Sequence, residues 1–580
     1  MSLTILILYI LILGVVSILS FRKGFQNIFR TENRIPWYLA GFSLFLINPD
    51  TINVLSKMGI AATEGYSGMW IFYTGVLGTG FLPIIFAPLW SRLRFMTDNQ
   101  FILFRFSGKP AKILHLFRAA YVGYLVVALF SAQVYIGMSK LLMVFTGCSY
   151  PVSFLIIGII LILLIAKNSL QLKVRTDFLN GIIYLSAFAI GAYFVMKHYG
   201  GWSVVYPKLN SSYQGYIRLF PESAEHTSFE SIPTLLVYML IQWWSINVLD
   251  GAGPEAQRFM NVRNSFQAFK AAFLPLILFS LVFLFHSFVI DTGILMIHES
   301  NEMVPEIHNI PDLEASFIQQ YKLAMPGGLS TLVFLAFMIG FTSFMESFIN
   351  WGASFVTADI FKTYLFKKRK DRFFGRLSYM VMLVIGISGM LIAWYNTHLL
   401  GLQKFIFAMG AGVGPVFILR WFWWRINAWS QFTAMLSSLI FAVGWDIAYQ
   451  SSAAFHRFID FQLIHMNISY YAFKLLSITG MVTLCWLLVT FLTAPDDRDT
   501  LIQFVDRVNP GGFWPFRSSR KKASKKHTLI LLLIYPVISI SPFLCIWLYK
   551  FGSIPLAISL TAGWLILLYV TVKLMSQNDN

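Results

Sequence analysis

Apolar runs long enough to cross a bilayer follow one another along this whole chain, and no other feature constrains its fold as much. A helix needs about 20 predominantly apolar residues to span the hydrocarbon core. The first run is 3–20, and others read at about 37–59, 66–90, 115–146, 151–167, 176–198, 232–252, 266–296, 325–362, 375–396, 400–420, 428–448, 467–494, 527–549 and 553–575. In lipid a segment must satisfy its own backbone groups, so such runs form helices. The pattern predicts an all-α polytopic membrane protein with about fifteen transmembrane helices. Only 12% of residues are charged, against about 25% in soluble domains. The longest polar segments, 199–231, 297–324 and 495–526, are too short for a soluble catalytic domain. Run 3–20 lacks a basic start and a small-residue cleavage site, so it reads as a retained span.

The net charge of +18 would point to nucleic acid in a soluble chain. Here the basic residues fall in short loops between apolar runs, which is the positive-inside pattern. Arg22, Lys23, Arg30 and Arg34 follow the first run. Alternate loops then carry Arg92, Arg94, Arg105, Lys109, Lys112 and Arg118; Lys167, Lys173 and Arg175; and Arg258, Arg263 and Lys270. Lys367 to Lys370 with Arg372 and Arg376, Arg420 with Arg425, and the cluster from Arg517 to Lys526 complete the series. The intervening loops are acidic, with Glu222, Glu225, Glu230, Glu299, Glu302, Glu306, Asp312 and Glu314. The N-terminus is therefore expected outside and the C-terminus in the cytoplasm. The basic loop 495–526 reads as a segment held at the anionic leaflet surface. Cys148, Cys485 and Cys545 have neither disulfide nor zinc spacing.

Within run 37–59 stands Asn48-Pro49-Asp50-Thr51. Proline removes a helical hydrogen bond and clashes with the preceding turn. An aspartate in lipid is costly, so it faces protein or a water-filled cavity. A helix broken at mid-membrane beside an acid is one way to build an ion or solute site. The competing reading is a proline kink with a buried, satisfied Asp50. Ser343, Glu346, Ser347 and Asn350 recur at helical spacing in run 325–362, so they share a face. Glu346 points to function there, while Ser and Asn also serve as interhelical glue. Asp177 reads either as a helix N-cap at the surface or as a residue on an ion path. The segment 242–253, with Gln242, Trp243, Trp244, Asn247, Asp250, Gly251 and Gly253, suits a pocket for a small polar solute or an interfacial tryptophan belt. Lys57 reads as a snorkelling lysine or as a partner for Glu64 or for an acid across the bundle. His286 and Asp291 look isolated, packed or interfacial. Gly410, Gly412 and Gly414 precede Pro415 without the strand–helix context of a nucleotide loop, and fit a flexible or closely packed membrane helix. No nucleophile–base pair or metal-ligand cluster is readable, so an enzyme and a cofactor are not expected.

Several stretches together resemble the sodium:solute symporter family, over about residues 36 to 515. They are Phe86-Ala87-Pro88-Leu89-Trp90, Thr97-Asp98, Arg105-Phe106, Arg175-Thr176-Asp177 and DGAGPEAQR from Asp250 to Arg258. Asn350-Trp351-Gly352, Asp359-Ile360-Phe361-Lys362 and RWFWWRINAWS from Arg420 to Ser430 complete the set. The last two are similar to a bacterial branch of the family. The resemblance implies a leucine-transporter-type fold. Residues 1–35 would hold an extra N-terminal helix and the first loop. Residues 36–425 would form the core of two inverted five-helix repeats, about 37–198 and 232–420. Residues 426–580 would hold flanking helices. It implies a sodium site at Asn48, Thr51 and Ser343, near Gly340, with Asp50 beside it and Asp177 on the ion's way to the cytoplasm; Glu346, three residues beyond Ser343 on the same helical face, could add a carboxylate. Solute would sit near Ile52, Asn53, Gln242, Trp243, Trp244 and Asn247. Phe344 stands where the family places a second hydroxyl, and a phenyl ring cannot coordinate sodium. The implied function is sodium-coupled symport of a small organic solute across a bacterial plasma (inner) membrane. Proton-coupled or uncoupled transport, or a solute sensor or scaffold that moves nothing, are the alternatives. The expected partners are solute, Na+ or H+, and lipid, not nucleic acid.

A reporter fused at Gly511 is expected on the cytoplasmic side and one placed in 299–314 on the external side. Accessibility labelling that puts both on one side would overturn the fifteen-span reading.

Overall fold

The computed structural model describes residues 2–20, 34–48, 50–74, 81–167, 170–220, 231–245, 250–299, 304–307, 310–396, 398–516 and 525–578. It is a helical bundle. Its labelled helices are α1 (Ser2–Ser20), α2 (Trp37–Leu46), α3 (Asp50–Gly68), α4 (Gly108–Thr146), α5 (Tyr150–Lys167) and α6 (Leu170–His198). Next come α7 (Ile232–Leu240), α8 (Pro254–Asn261), α9 (Ser265–Glu299), α10 (Ser330–Ser354), α11 (Asp371–Tyr395), α12 (Leu399–Gly410) and α13 (Gly414–Phe422). The last four are α14 (Ala428–Ser451), α15 (Tyr470–Leu492), α16 (Lys525–Phe551) and α17 (Ile554–Asn578). Among the described residues, nine helices are long and apolar enough to cross a membrane, and the bent pair α12–α13 makes a tenth candidate. Five shorter apolar helices, Leu3–Val16, Trp37–Leu46, Leu82–Ser91, Tyr150–Ala166 and Ile232–Trp244, lie in other runs where spans are expected.

The chain turns around α10. With its π-helical continuation Phe355–Leu365, it buries 89% of its apolar window, more than any other span. It packs on α4, α6 and α11 and touches both α2 and α3. Helix α6 lies along α2, α9 and α10, and α9 lies along α2. The N-terminal α1 rests on α5 and reaches α10, where Tyr9 Oη and Thr342 Oγ1 share a hydrogen bond of 2.7 Å. At the other extreme α17 buries only 11% of its window, and Leu565, Ile566 and Tyr569 face outward. Apolar side chains on that face are what a bilayer solvates, so they need no protein partner.

Among the described residues, two of the interrupted helices bear on the site. The first ends at Leu46, where the N–H of Ile47 bonds Ser43 O (3.1 Å) and that of Asn48 bonds Phe45 O (3.4 Å). The shorter i to i−3 step closes the helix before Pro49, which lies outside the described residues, and α3 restarts at Asp50. The second stops at Leu240, makes a tight turn through Gln242–Trp244, and restarts at Pro254 after Gly253, whose φ is +94°. Proline at the first helical turn costs no hydrogen bond, and glycine reaches that φ without a Cβ clash.

The structure departs from the sequence reading at several points. Run 66–90 is not one helix. Helix α3 runs into it as far as Gly68 with a kink at Gly65 (φ +66°), and its other described parts are the short helix Trp70–Tyr73 and the helix Leu82–Ser91, π-helical over Leu82–Phe86. Run 400–420 bends by 40° between α12 and α13. The polar segments contain helices Trp202–Ser212, Leu313–Ala324 and Arg498–Val508, and a further helix, Ala453–Met466, fills a presumed loop. Asp291 is not isolated. It is buried, ion-paired with Lys550 of α16, and accepts from Tyr66 Oη at 2.8 Å. His286 packs its ring on Phe188 and Phe317. Lys57 lies over the Phe72 ring.

The α12–α13 bend predicts a measurable cost. A Cβ at Gly410 would lie 1.5 Å from Ser245 O, so Gly410→Ala forces backbone to move. Overpacking of this kind costs about 1–3 kcal/mol. The variant is expected to melt earlier in detergent, while Gly444→Ala, whose Cβ meets nothing within 4 Å, melts like the parent.

Candidate functional site

Asp177 sits on the second turn of α6, which starts at Leu170, so it is not an N-cap. It is 1% exposed. A carboxylate buried in a bundle needs charge and hydrogen bonds around it. Lys173, one turn earlier on the same helix face, places its ammonium 3.0 Å from both carboxylate oxygens. Ser43 of α2 donates to Oδ2 at 2.6 Å, and Ser343 of α10 donates to Oδ1 at 2.8 Å. One carboxylate thus joins α2, α6 and α10. Arg258 of α8 extends the cluster. Its Nε donates to Ser43 Oγ (3.3 Å), Nη2 to Ser347 Oγ (2.9 Å) and Nη1 to Pro254 O (3.0 Å). Ser43 lies in the last turn of the half-helix before the first break, and Arg258 lies on the half-helix after the second. The cluster therefore links the two interrupted spans directly.

Glu346 lies on the same helix as Ser343 but its side chain lines a narrow cavity with Leu161, Leu164, Met345, Asn350 and Met382, between α5, α10 and α11. It remains within electrostatic reach of Lys173 and Arg258. The expected polar stripe thus divides. Ser343 and Ser347 face Asp177 and Arg258, and Glu346 and Asn350 line the neighbouring cavity. Gly340 is buried one turn before Ser343. Phe344 is fully buried and stacks on Phe348, with ring centroids 4.0 Å apart. Asn48 is half-buried at the first break. Asp50, Thr51, Ile52 and Asn53 occupy the first turn of α3, and their side chains lie outside the described ones.

At the second interruption Gln242 is buried and its Oε1 accepts from Tyr471 Oη of α15 at 3.2 Å. Trp243 packs on Phe81. Trp244 Nε1 donates to Ala411 O at 3.1 Å, and Thr479 Oγ1 donates to the same carbonyl at 3.0 Å. Ala411 is at the α12–α13 bend, so these side chains satisfy a carbonyl released from the helix. Asn247 lies outside the described residues. Gln242, Trp243 and Trp244 do come together, but at a packed turn braced by α15.

The motif stretches meet in space. Asp250 pairs with Arg420 (2.5 Å), accepts from Trp421 Nε1 (2.7 Å), and its carbonyl accepts from Trp90 Nε1 (2.7 Å). Asp98 pairs with Arg118 and accepts from Trp351 Nε1, both at 2.8 Å. Asp359 accepts from Thr97 Oγ1 at 2.8 and 3.0 Å. Arg105 lies 3.5 Å from Asp496 and donates to Arg420 O at 2.8 Å. Lys173, Arg105, Arg118, Arg258 and Arg420, which the charge pattern assigns to loops, are all buried. Ser43, Lys173, Arg258 and Ser347 carry the site; the sequence reading has Ser347 on the polar stripe, counts Lys173 and Arg258 among loop charges and misses Ser43. The i,i+4 spacing of Lys173 and Asp177 is the signal that marks Lys173.

A family model described as "Sodium:solute symporter family" matches residues 29–438. The chain is 24% identical over 448 residues to a protein named sodium/sialic acid symporter NanT from Aliivibrio fischeri (strain ATCC 700601 / ES114), covering 72% of this chain and 82% of that one. A solved structure of a Na+-coupled sialic acid symporter, in a substrate-bound outward-open state, superposes with a TM-score of 0.65 at 17% identity. It covers 86% of this chain and 99% of the other. At that identity the likeness is one of fold.

Ser43 and Ser343 serve one carboxylate, which makes their effects interdependent. Ser43→Ala and Ser343→Ala each remove a hydrogen bond to a charged group, and each is expected to cost about 1.5–3 kcal/mol. Thermal melts of the two single variants and the double variant are expected to show coupling of about 0.5 kcal/mol or more. Strict additivity would mean that the two hydroxyls do not share Asp177.

Proposed function

We propose that this chain, which belongs to the sodium:solute symporter family, is a multi-pass membrane transporter that moves a small organic solute together with sodium by alternating access. The observation that carries this reading is the pair of interrupted helices joined through Ser43 and Arg258, with α10 packed against both halves of the first. Interrupted helices expose backbone carbonyls and amides at depth, which is where an ion and a polar solute replace lost hydration. The sodium ligands in this reading are oxygens at Asn48 and Thr51 with Ser343 opposite, near Gly340, and Asp50 supplies charge beside them. Solute lies between the first turn of α3, at Ile52 and Asn53, and the turn bearing Gln242 to Trp244, with Asn247 beyond it. The protein spans the plasma (inner) membrane of a bacterium about fifteen times. The five shorter apolar helices make up the count, with the N-terminus outside and the C-terminus in the cytoplasm.

One observation favours a second reading. Ser343 already gives its hydroxyl to Asp177, and the next residue is Phe344. A small hard cation is held weakly when ligands are missing. Proton coupling through Glu346 or Asp50 would need fewer oxygens, since a carboxylate takes up the proton itself.

Uptake into proteoliposomes, first of sialic acid because a relative is named for it, then of sugars, amino acids and other carboxylates, tests this function. Sodium is titrated against choline at fixed pH. Sodium-dependent uptake is expected. Phe344→Ser is expected to lower the half-saturating sodium concentration, Glu346→Gln to raise it, and Asp50→Asn to impair uptake at normal expression. Uptake that follows pH and ignores sodium would replace the first reading with the second.

A further inference from the structure

Asp177 and Glu346 lie within reach of two cations, Lys173 and Arg258, and Arg258 also has Glu255 of its own helix within reach. Tyr9 of α1 is a further titratable group near Asp177 and Glu346. Lys173 is 2% exposed, Asp177 1% and Arg258 0%, so this is a low-dielectric neighbourhood. A free cation added beside the Lys173 ammonium would put two like charges against one buried carboxylate, which a bundle interior does not tolerate cheaply. Around Asp177 the oxygens form a cation's ligand set, with two carboxylate oxygens and two serine hydroxyls from α2 and α10. The position that a monovalent cation would take against both carboxylate oxygens is held by the Lys173 ammonium.

We propose that Lys173 is a built-in cation at Asp177 and competes there with a free monovalent cation. A lysine ammonium is a compact point charge on a flexible four-carbon stem, so it can give up one carboxylate and take it again. Exchange of ammonium for sodium leaves the charge at Asp177 unchanged, whereas simple addition of sodium raises it by one. Arg258 does not play this part. Its guanidinium bridges Ser43 Oγ, Ser347 Oγ and Pro254 O, so it is engaged with hydroxyls and a carbonyl. Lys173 thereby sets how strongly sodium must bind to free Asp177 from α6 and release the hydroxyls of α2 and α10. The proposal deepens the sodium reading but does not need wild-type transport to be sodium-driven, because a strong competitor would hide the response.

The test uses the purified full-length protein in detergent and sodium chloride alone, with choline chloride holding ionic strength constant. The melting temperature is followed against sodium for the parent and for Lys173→Gln, which keeps a hydrogen-bond donor but no charge. Lys173→Gln is expected to need about tenfold less sodium for half its stabilisation, or to gain a sodium response if the parent has none. Lys173→Arg, which grips a carboxylate through two parallel bonds, is expected to need more sodium than the parent. Adding Asp177→Asn to Lys173→Gln is expected to remove the gained response. Size-exclusion profiles identify any variant that fails to fold, and the charge-conserving arginine variant then carries the comparison in a sodium-responsive parent. A Lys173→Gln protein with the parent's sodium response overturns the proposal. A parent that responds while Lys173→Gln does not differ leaves sodium coupling standing and this inference fallen. A silent parent with a responsive variant does the reverse.

Discussion

An ionised carboxylate inside a membrane-embedded bundle is tolerated only where opposite charge and hydrogen-bond donors surround it, and the middle of this structure depends on how Asp177 meets that condition. Its donors come from three helices, Lys173 on α6, Ser43 on α2 and Ser343 on α10. None of these elements can shift without leaving a buried charge short of partners. Breaking one member of such a pair costs about 3–5 kcal/mol, a large share of a typical folding free energy. The cluster therefore acts as a latch between the interrupted spans and the most enclosed helix.

The same condition recurs where α13 and its neighbours meet. Asp250 with Arg420 and Asp359 with Thr97 join segments 170 and 262 residues apart, while Asp98 with Arg118 spans 20. Tryptophan indoles at positions 90, 351 and 421 supply further donors while burying large apolar rings. Charges that look like loop charges are thus largely structural. Lipid provides no hydrophobic drive between helices, so packing and satisfied polar groups must hold them.

Interruption and latch belong to one design. Each break leaves backbone groups unpaired, and the structure meets that need with side chains, as Trp244 and Thr479 do at Ala411 O. The breaks stand beside the Lys173–Asp177 pair, to which Ser43 and Ser343 add their hydroxyls. On the transport reading proposed above, a cation or solute that binds one arrangement of these halves better shifts the population toward it.

The membrane class, the helical content and most helix positions were legible in the sequence, because lipid enforces a simple rule on every apolar run. Pro49 announced the first break, since a missing donor acts locally, and the Gly410–Gly414 pattern announced close packing. The number of full-length spans was less legible, because short helices such as α2 and α7 stop at breaks whose extent depends on neighbours. Asp177 was visible as a candidate and Ser347 as part of the polar stripe, but Arg258 read as a loop charge and Ser43 was not visible. Nor was the choice between Ser343 as an ion ligand and Ser343 as a donor to Asp177. A sequence records which residues share a helix face, and helical spacing alone pairs Lys173 with Asp177. Which helix that face meets is decided by packing across 134 residues between Ser43 and Asp177 and 166 between Asp177 and Ser343. Only the tertiary structure brings those groups within 3 Å, because the energy of a buried charge depends on distances that no local pattern encodes.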